Sequence, residues 1–154
     1  MPSGVITMLY VHGSWSTATG AIENICINGS TQVPPRGTAF AAGSDATIMV
    51  SAKQNLATLS FEYKITAGEK FNIALLPDWS AYFGYFEFIA TGANGTYNGV
   101  TTELLSDGYI RVTFDMDKLT RMAGTPSTVI DFMYLRGGWS DASGYIDNVQ
   151  FTTK

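Results

Sequence analysis

One cysteine and one histidine occur in 154 residues. Neither an internal disulfide nor the usual nitrogen–sulfur ligand set of a zinc site can be assembled from them. Any Ser-His-Asp arrangement would have to use His12, which precedes Gly13-Ser14-Trp15 and reads as a residue that hydrogen-bonds in a loop. Cys26, inside AIENICING, reads as a buried, inert thiol. Charge is sparse, at 14% of residues and net -4, with no Lys/Arg cluster. That balance excludes nucleic acid as a partner, because nothing replaces phosphate counterions. No apolar run is long enough for a membrane-spanning helix, and residues 1–10 lack a basic stretch followed by an apolar one. No membrane partner is expected, and Met1-Pro2-Ser3 reads as the start of an excised module, the beginning of a cytoplasmic protein being the second reading. Glycine-rich phosphate loops and dinucleotide fingerprints are missing too.

What is abundant is aromatic, at 13%, together with 16 glycines, and the pattern along the chain has a period of two. In LATLSFEYKI, Leu59, Phe61, Tyr63 and Ile65 alternate with Thr58, Ser60, Glu62 and Lys64, which predicts a half-buried strand. GYIRVTFDM repeats this, with Ile110, Val112, Phe114 and Met116 inward and Tyr109, Arg111, Thr113 and Asp115 outward. Further strands are expected at Val5–Val11, Ala21–Ile27, Ala46–Ala52, Lys70–Leu76, Tyr82–Ala90, Val100–Leu104, Thr128–Arg136 and Gly144–Phe151. TAGEK, TGANGTYNG, SDG and RGGWSDASG separate them as turns. MDKLTRMAG alone suits one or two helical turns. About ten short strands at regular spacing predict an all-β, two-sheet antiparallel sandwich, jelly-roll-like, forming one domain over residues 1–154.

One motif is written twice. HGSWSTATGAIENICI (12–27) and RGGWSDASGYIDNVQF (136–151) share Gly13/Gly137, Trp15/Trp139, Ser16/Ser140, Ala18/Ala142, Gly20/Gly144, Ile22/Ile146 and Asn24/Asn148. The repeat fits first and last strands that pair, with Trp15 packing over the end of the sandwich. Glu23 and Asp147 fall at equivalent places in it. They read as turn caps or acceptors of backbone hydrogen bonds, so no metal or other cofactor is expected. A structural calcium shared by the two carboxylates is the second reading.

KFNIALLPDWSAYFGYFEFIATG (70–92) carries the strongest functional pattern. If Phe86, Phe88 and Ala90 face the core, then Tyr85 and Glu87 share the opposite face, beside Trp79 and Tyr82. The C–H face of a β-linked glucose packs on an aromatic ring, and its hydroxyls point sideways toward polar groups such as Asn72, Asp78, Glu87 or Arg136. Trp139, after two glycines, sits on a loop tip with Tyr134 and Arg136 just before it; Tyr97 is a third loop aromatic. The competing reading buries these rings in a core or a subunit contact. For catalysis only paired carboxylates remain, with Glu87 and Asp131 as the candidates that could share a sheet surface.

The ending GYIDNVQF resembles the last strand of β-sandwich carbohydrate-binding modules attached to plant-polysaccharide-degrading enzymes. FNIALLPDWSAYFGYFEF followed by LSDGYIRVTFDMDKL is similar to modules of this kind that bind β-glucans, including xyloglucan. The resemblance runs from about Leu56 onward. It implies a non-catalytic domain whose partner is a β-glucan and which serves a catalytic module in the same full-length, extracellular chain. Trp79 with Tyr82 or Tyr85 would be the stacking platform and Trp139 a further wall. The N-terminal pattern of the calcium-bearing members is missing. Two other functions stay open: a sandwich subunit for protein contacts, as in adhesins, and a small two-carboxylate glycanase.

Overall fold

The computed structural model describes residues 36–50, 54–78, 84–119 and 129–154. All lie within Pro35–Lys154, one of the two units into which the chain divides. Among the described residues ten strands run in chain order: β1 Thr38–Phe40, β2 Ala46–Met49, β3 Leu56–Ala67, β4 Lys70–Leu76, β5 Gly84–Ile89, β6 Gly92–Ala93, β7 Val100–Leu104, β8 Ile110–Asp115, β9 Phe132–Leu135 and β10 Ser143–Thr153. They form two antiparallel five-stranded sheets, β1-β10-β3-β8-β7 and β2-β9-β4-β5-β6. Among the described residues the single helical element is a 3₁₀ turn, Gly137–Trp139. The expected all-β sandwich is the architecture found.

Alternation builds the core. From the first sheet Leu59, Phe61, Tyr63, Val112 and Phe114 face inward, and from the second Phe71, Ile73, Leu75, Phe86 and Phe88 meet them. The rings interlock: Phe61 meets Phe88 edge-on with centroids 5.6 Å apart, and Tyr63 meets Phe71 at 4.9 Å. Burying each such side chain contributes roughly 1.5–3 kcal/mol. The Tyr63 hydroxyl, inside this apolar layer, donates to the carbonyls of Ile89 and Gly92, which satisfies the polar tip.

β4 and β7 have the bounds expected from the sequence, and β2, β3, β5, β8, β9 and β10 differ from theirs by a few residues at their ends, whereas β1 and β6 were not expected, β6 lying within TGANGTYNG, which reads as a turn. Trp15, Glu23 and the strands expected at Val5–Val11 and Ala21–Ile27 lie outside the described residues. The last strand, β10, runs between β1 and β3.

Two residues read as solvent-facing are buried. Glu62 is 2% exposed and Tyr109 5%. Glu62 stands at the centre of the first sheet's outer face, with Arg111 and Asp147 as its cross-strand neighbours. Arg111 donates to its Oε1 through Nε at 3.0 Å and Nη2 at 2.7 Å, and Asn148 donates to the same oxygen at 3.1 Å. Arg36 donates to Oε2 and also reaches Asp147 and Asp107, each at 2.9 Å. Tyr109 is buried because Arg36 lies over its ring, 4.1 Å from the centroid, while its hydroxyl donates to the Arg36 carbonyl. Asn148 reaches Glu62 from a β-bulge, where its φ of 50° is one that asparagine tolerates.

Burial alone would raise the Glu62 carboxyl, but the hydrogen bonds from Arg36, Arg111 and Asn148 outweigh it and hold the group below the usual carboxylate range. A carboxyl depressed in the folded state stabilises above its unfolded value and loses that contribution as pH falls through the folded one. The melting temperature should therefore drop as pH is lowered below the ordinary glutamate value of 4.5. Glu62→Ala should cost on the order of 1–3 kcal/mol at neutral pH, because the hydrogen bonds that tie Arg36, Arg111 and Asn148 to this carboxylate are lost. Thermal unfolding of the wild type across pH measures the first and urea unfolding of the variant the second; a variant as stable as wild type contradicts the network's role.

Candidate functional site

Because Phe71, Ile73 and Leu75 face the core, the alternate residues of β4 face outward from the second sheet. Register then sets the neighbours of each. Ala74 pairs with Tyr85 on β5 and Tyr134 on β9, and Asn72 pairs with Glu87. Arg136, just past β9, donates its backbone N–H to the Asn72 carbonyl at 3.1 Å. Two adjacent rungs, Tyr134–Ala74–Tyr85 and Arg136–Asn72–Glu87, thus cross three strands. Tyr85 and Tyr134 pack against buried Ala74 and Leu76.

The Gly137–Trp139 turn stands beside these rungs and is stitched to the sheet. Asp45 accepts from Gly137 N at 2.7 Å through one oxygen and from the Tyr134 hydroxyl through the other. Those bonds, the Tyr134 bond foremost, hold its carboxyl below the usual range. Ser140 Oγ donates to the Arg136 carbonyl and accepts from Asn72 N at 2.9 Å. A Cβ on Gly137 would come within 2.5 Å of the Gly43 carbonyl, so glycine is required where the turn passes the loop before β2. Asp141 accepts from the backbone N–H of Lys70 at 2.8 Å and Glu69 at 3.0 Å. It thereby ties the loop to the β3–β4 turn, where Gly68 has φ +78° and lies against the Asp141 carbonyl.

Trp139 is left 49% exposed. The Arg136 guanidinium lies over its ring at 3.8 Å, and Tyr85 is tilted against it with centroids 5.4 Å apart. Such a cation–π contact stabilises by about 0.5–1 kcal/mol at an exposed site and fixes the indole's orientation. Beside the ring opens a groove of about 440 Å³, lined by Trp139, Ser140, Asp141, Lys70, Asn72 and Glu87. Lys70 pairs with Glu87 at 2.9 Å, which lowers the Glu87 carboxyl and raises the Lys70 amine. The Asp141 carboxyl is lowered first by the Lys70 backbone bond and then by that of Glu69.

Of the nine ligand-binding residues named from the sequence, this one face gathers Asn72, Tyr85, Glu87, Tyr134, Arg136 and Trp139. Asp78 stands past the far end of β4, away from the groove lining. Trp79 and Tyr82, in the connection from β4 to β5, lie outside the described residues. Tyr97 supports the face instead of forming it: its ring packs edge-on against Phe86, and its hydroxyl accepts from Glu87 N at 3.1 Å. Asp131 lies at the opposite end of β9 from the groove, its backbone bonded to Val50 and Leu76. Asp147, half of the alternative calcium pair, is bound by Arg36. Among the described residues no group of three or more His, Cys, Asp or Glu is disposed to hold a metal ion, and no helix is long and apolar enough to cross a membrane. Lys70, Ser140, Asp141 and Asp45 were not anticipated. The first shares a strand face with Asn72 two residues on, so period two marks it; Asp45, 91 residues before Arg136, leaves no local trace.

Fold and face together define a two-sheet β-sandwich with an aromatic, ion-paired groove on the outer side of one sheet. No family model, curated protein or solved structure matches the chain at a significant level. Asp45→Ala should loosen the turn that presents Trp139. Hydrogen exchange at Gly137 N–H is expected to speed up while Ile73, in the core of β4, stays protected; unchanged exchange at Gly137 would contradict Asp45 as the anchor.

Proposed function

We propose that the protein is a non-catalytic glycan-binding module that takes neutral plant cell-wall β-glucans, β-1,4- or mixed-linked or xyloglucan, on the outer face of the second sheet. The observation that carries this is Trp139, half exposed, oriented by Arg136 and Tyr85, and standing at the edge of a groove of hydroxyl-binding side chains. An indole loses little entropy on binding and offers apolar area to a pyranose face. Lys70, Asn72, Glu87 and Asp141 supply donors and acceptors at its side. Trp79 and Tyr82 keep their part as further stacking residues in this reading.

The groove carboxylates favour binding over hydrolysis. Glycoside cleavage needs one carboxyl held protonated as general acid, whereas Glu87 and Asp141 are both pushed toward the ionised form. The module's role is then to hold an attached, secreted enzyme against its polymer, raising the local concentration of cleavable bonds. For the protein-contact alternative, the exposed Met49, Leu104 and Phe151 lie, among the described residues, on three different strands, β2, β7 and β10. Isolated apolar side chains of this sort are ordinary on a monomer.

Affinity electrophoresis in gels containing xyloglucan or barley β-glucan tests the proposal. The wild type should be retarded, and Trp139→Ala should lose on the order of 2 kcal/mol, about thirtyfold in Kd, while keeping its melting temperature. Unchanged retardation of a folded Trp139→Ala removes this ring from the site. Concentration-dependent self-association with no glycan affinity would favour the protein-contact function.

A further inference from the structure

Asn72 is the anomaly of the groove. Its Oδ1 is buried and receives no hydrogen bond from the protein, the one such side-chain atom among the described residues. The residue is 7% exposed yet lines the groove. An acceptor left in that state costs stability, and folded proteins pair nearly all of them. The fold does not ask for asparagine here, since Ala74 and Leu76, the next positions on the same face, are apolar and fully buried. Nor can a small shift of the strand supply a partner. The Asn72 backbone is pinned from both sides, its N–H to Ser140 Oγ and its carbonyl to Arg136 N–H.

We propose that Asn72 determines specificity in this groove, its Oδ1 accepting a hydrogen bond from an unsubstituted hydroxyl of a neutral sugar packed against Trp139. The inference rests on the glycan-binding function above and adds which sugars are admitted. The ligand group facing Asn72 must carry a proton to donate. A carboxylate has none, and it would meet Glu87 and Asp141, both ionised and both lining the groove. A hydroxyl suits the site, donating to Asn72 Oδ1 and accepting from a cation's N–H. Uronates, and sugars alkylated or branched at that hydroxyl, are excluded because they leave the buried acceptor unpaired.

The test is Asn72→Leu, which is close to asparagine in size and removes the acceptor. Without ligand its melting temperature should equal or exceed that of wild type, since a buried unpaired polar group is gone. Its affinity for the glucan that retards the wild type should fall roughly tenfold to a hundredfold. A residue with a merely structural role would lower the melting temperature instead. Two further arms stand even if the leucine variant does not fold: Asn72→Asp, which keeps an acceptor oxygen, should bind more tightly than Asn72→Ala, and fully O-methylated cellulose should not retard the wild type. Retardation of Asn72→Leu equal to wild type, aspartate and alanine variants that bind alike, or wild-type binding to the methylated polymer each overturns the assignment of Asn72. A wild type retarded by no glucan overturns the glycan-binding function itself.

Discussion

The register of β4 between β9 and β5 governs what this sandwich presents to solvent. Phe71, Ile73 and Leu75 must enter the core, where they meet Phe61, Tyr63 and Phe88. With that side fixed, Lys70, Asn72 and Ala74 have only the outer face left to occupy. A slip of one residue would exchange the two sets and expose three large apolar chains, so core packing itself locks the groove residues in place. The rungs follow from the same pairing: Tyr85 and Tyr134 flank Ala74, and Glu87 and Arg136 flank Asn72.

The two outer faces use charge in opposite ways. On the first sheet Glu62 is surrounded by Arg36, Arg111 and Asn148, and the arginines are committed to further carboxylates. That surface is closed upon itself and ties β1, β3, β8 and β10 together. On the second sheet the Lys70–Glu87 pair lines an open groove, Arg136 lies over an indole where a carboxylate partner would otherwise be expected, and Asn72 keeps an acceptor unpaired. Among the described residues Asn72 Oδ1 is the one buried side-chain polar atom that the protein leaves unpaired, and it lies on this second face.

Much of this was legible in the chain. Alternation in LATLSFEYKI and GYIRVTFDM, and the spacing of Phe71, Ile73 and Leu75 in KFNIALL, gave these strands and their inward residues, because the side-chain period of a strand needs no tertiary information. The alternation in GYFEFI also put Tyr85 and Glu87 on one outer face. Polarity misled for Glu62 and Tyr109, since a residue's own character does not report that two arginines from distant segments will cover it. Lys70 shares a face with Asn72, so the same period of two marks it. The role of Asp45 depends on β2 lying beside β9, a pairing across more than 80 residues that no local pattern encodes.

The central claim is that the second sheet's outer face, built around Trp139, is the surface that meets sugar. Nuclear magnetic resonance titration of the isotopically labelled protein with a soluble cello- or xyloglucan oligosaccharide tests it most directly. Chemical-shift changes should concentrate on the Trp139 indole N–H, the Asn72 side-chain amide and the backbone of Tyr85 and Glu87, leaving Arg111 and Val112 of β8 unmoved. Saturating oligosaccharide that shifts none of these signals, or that shifts the β8 face instead, would contradict it.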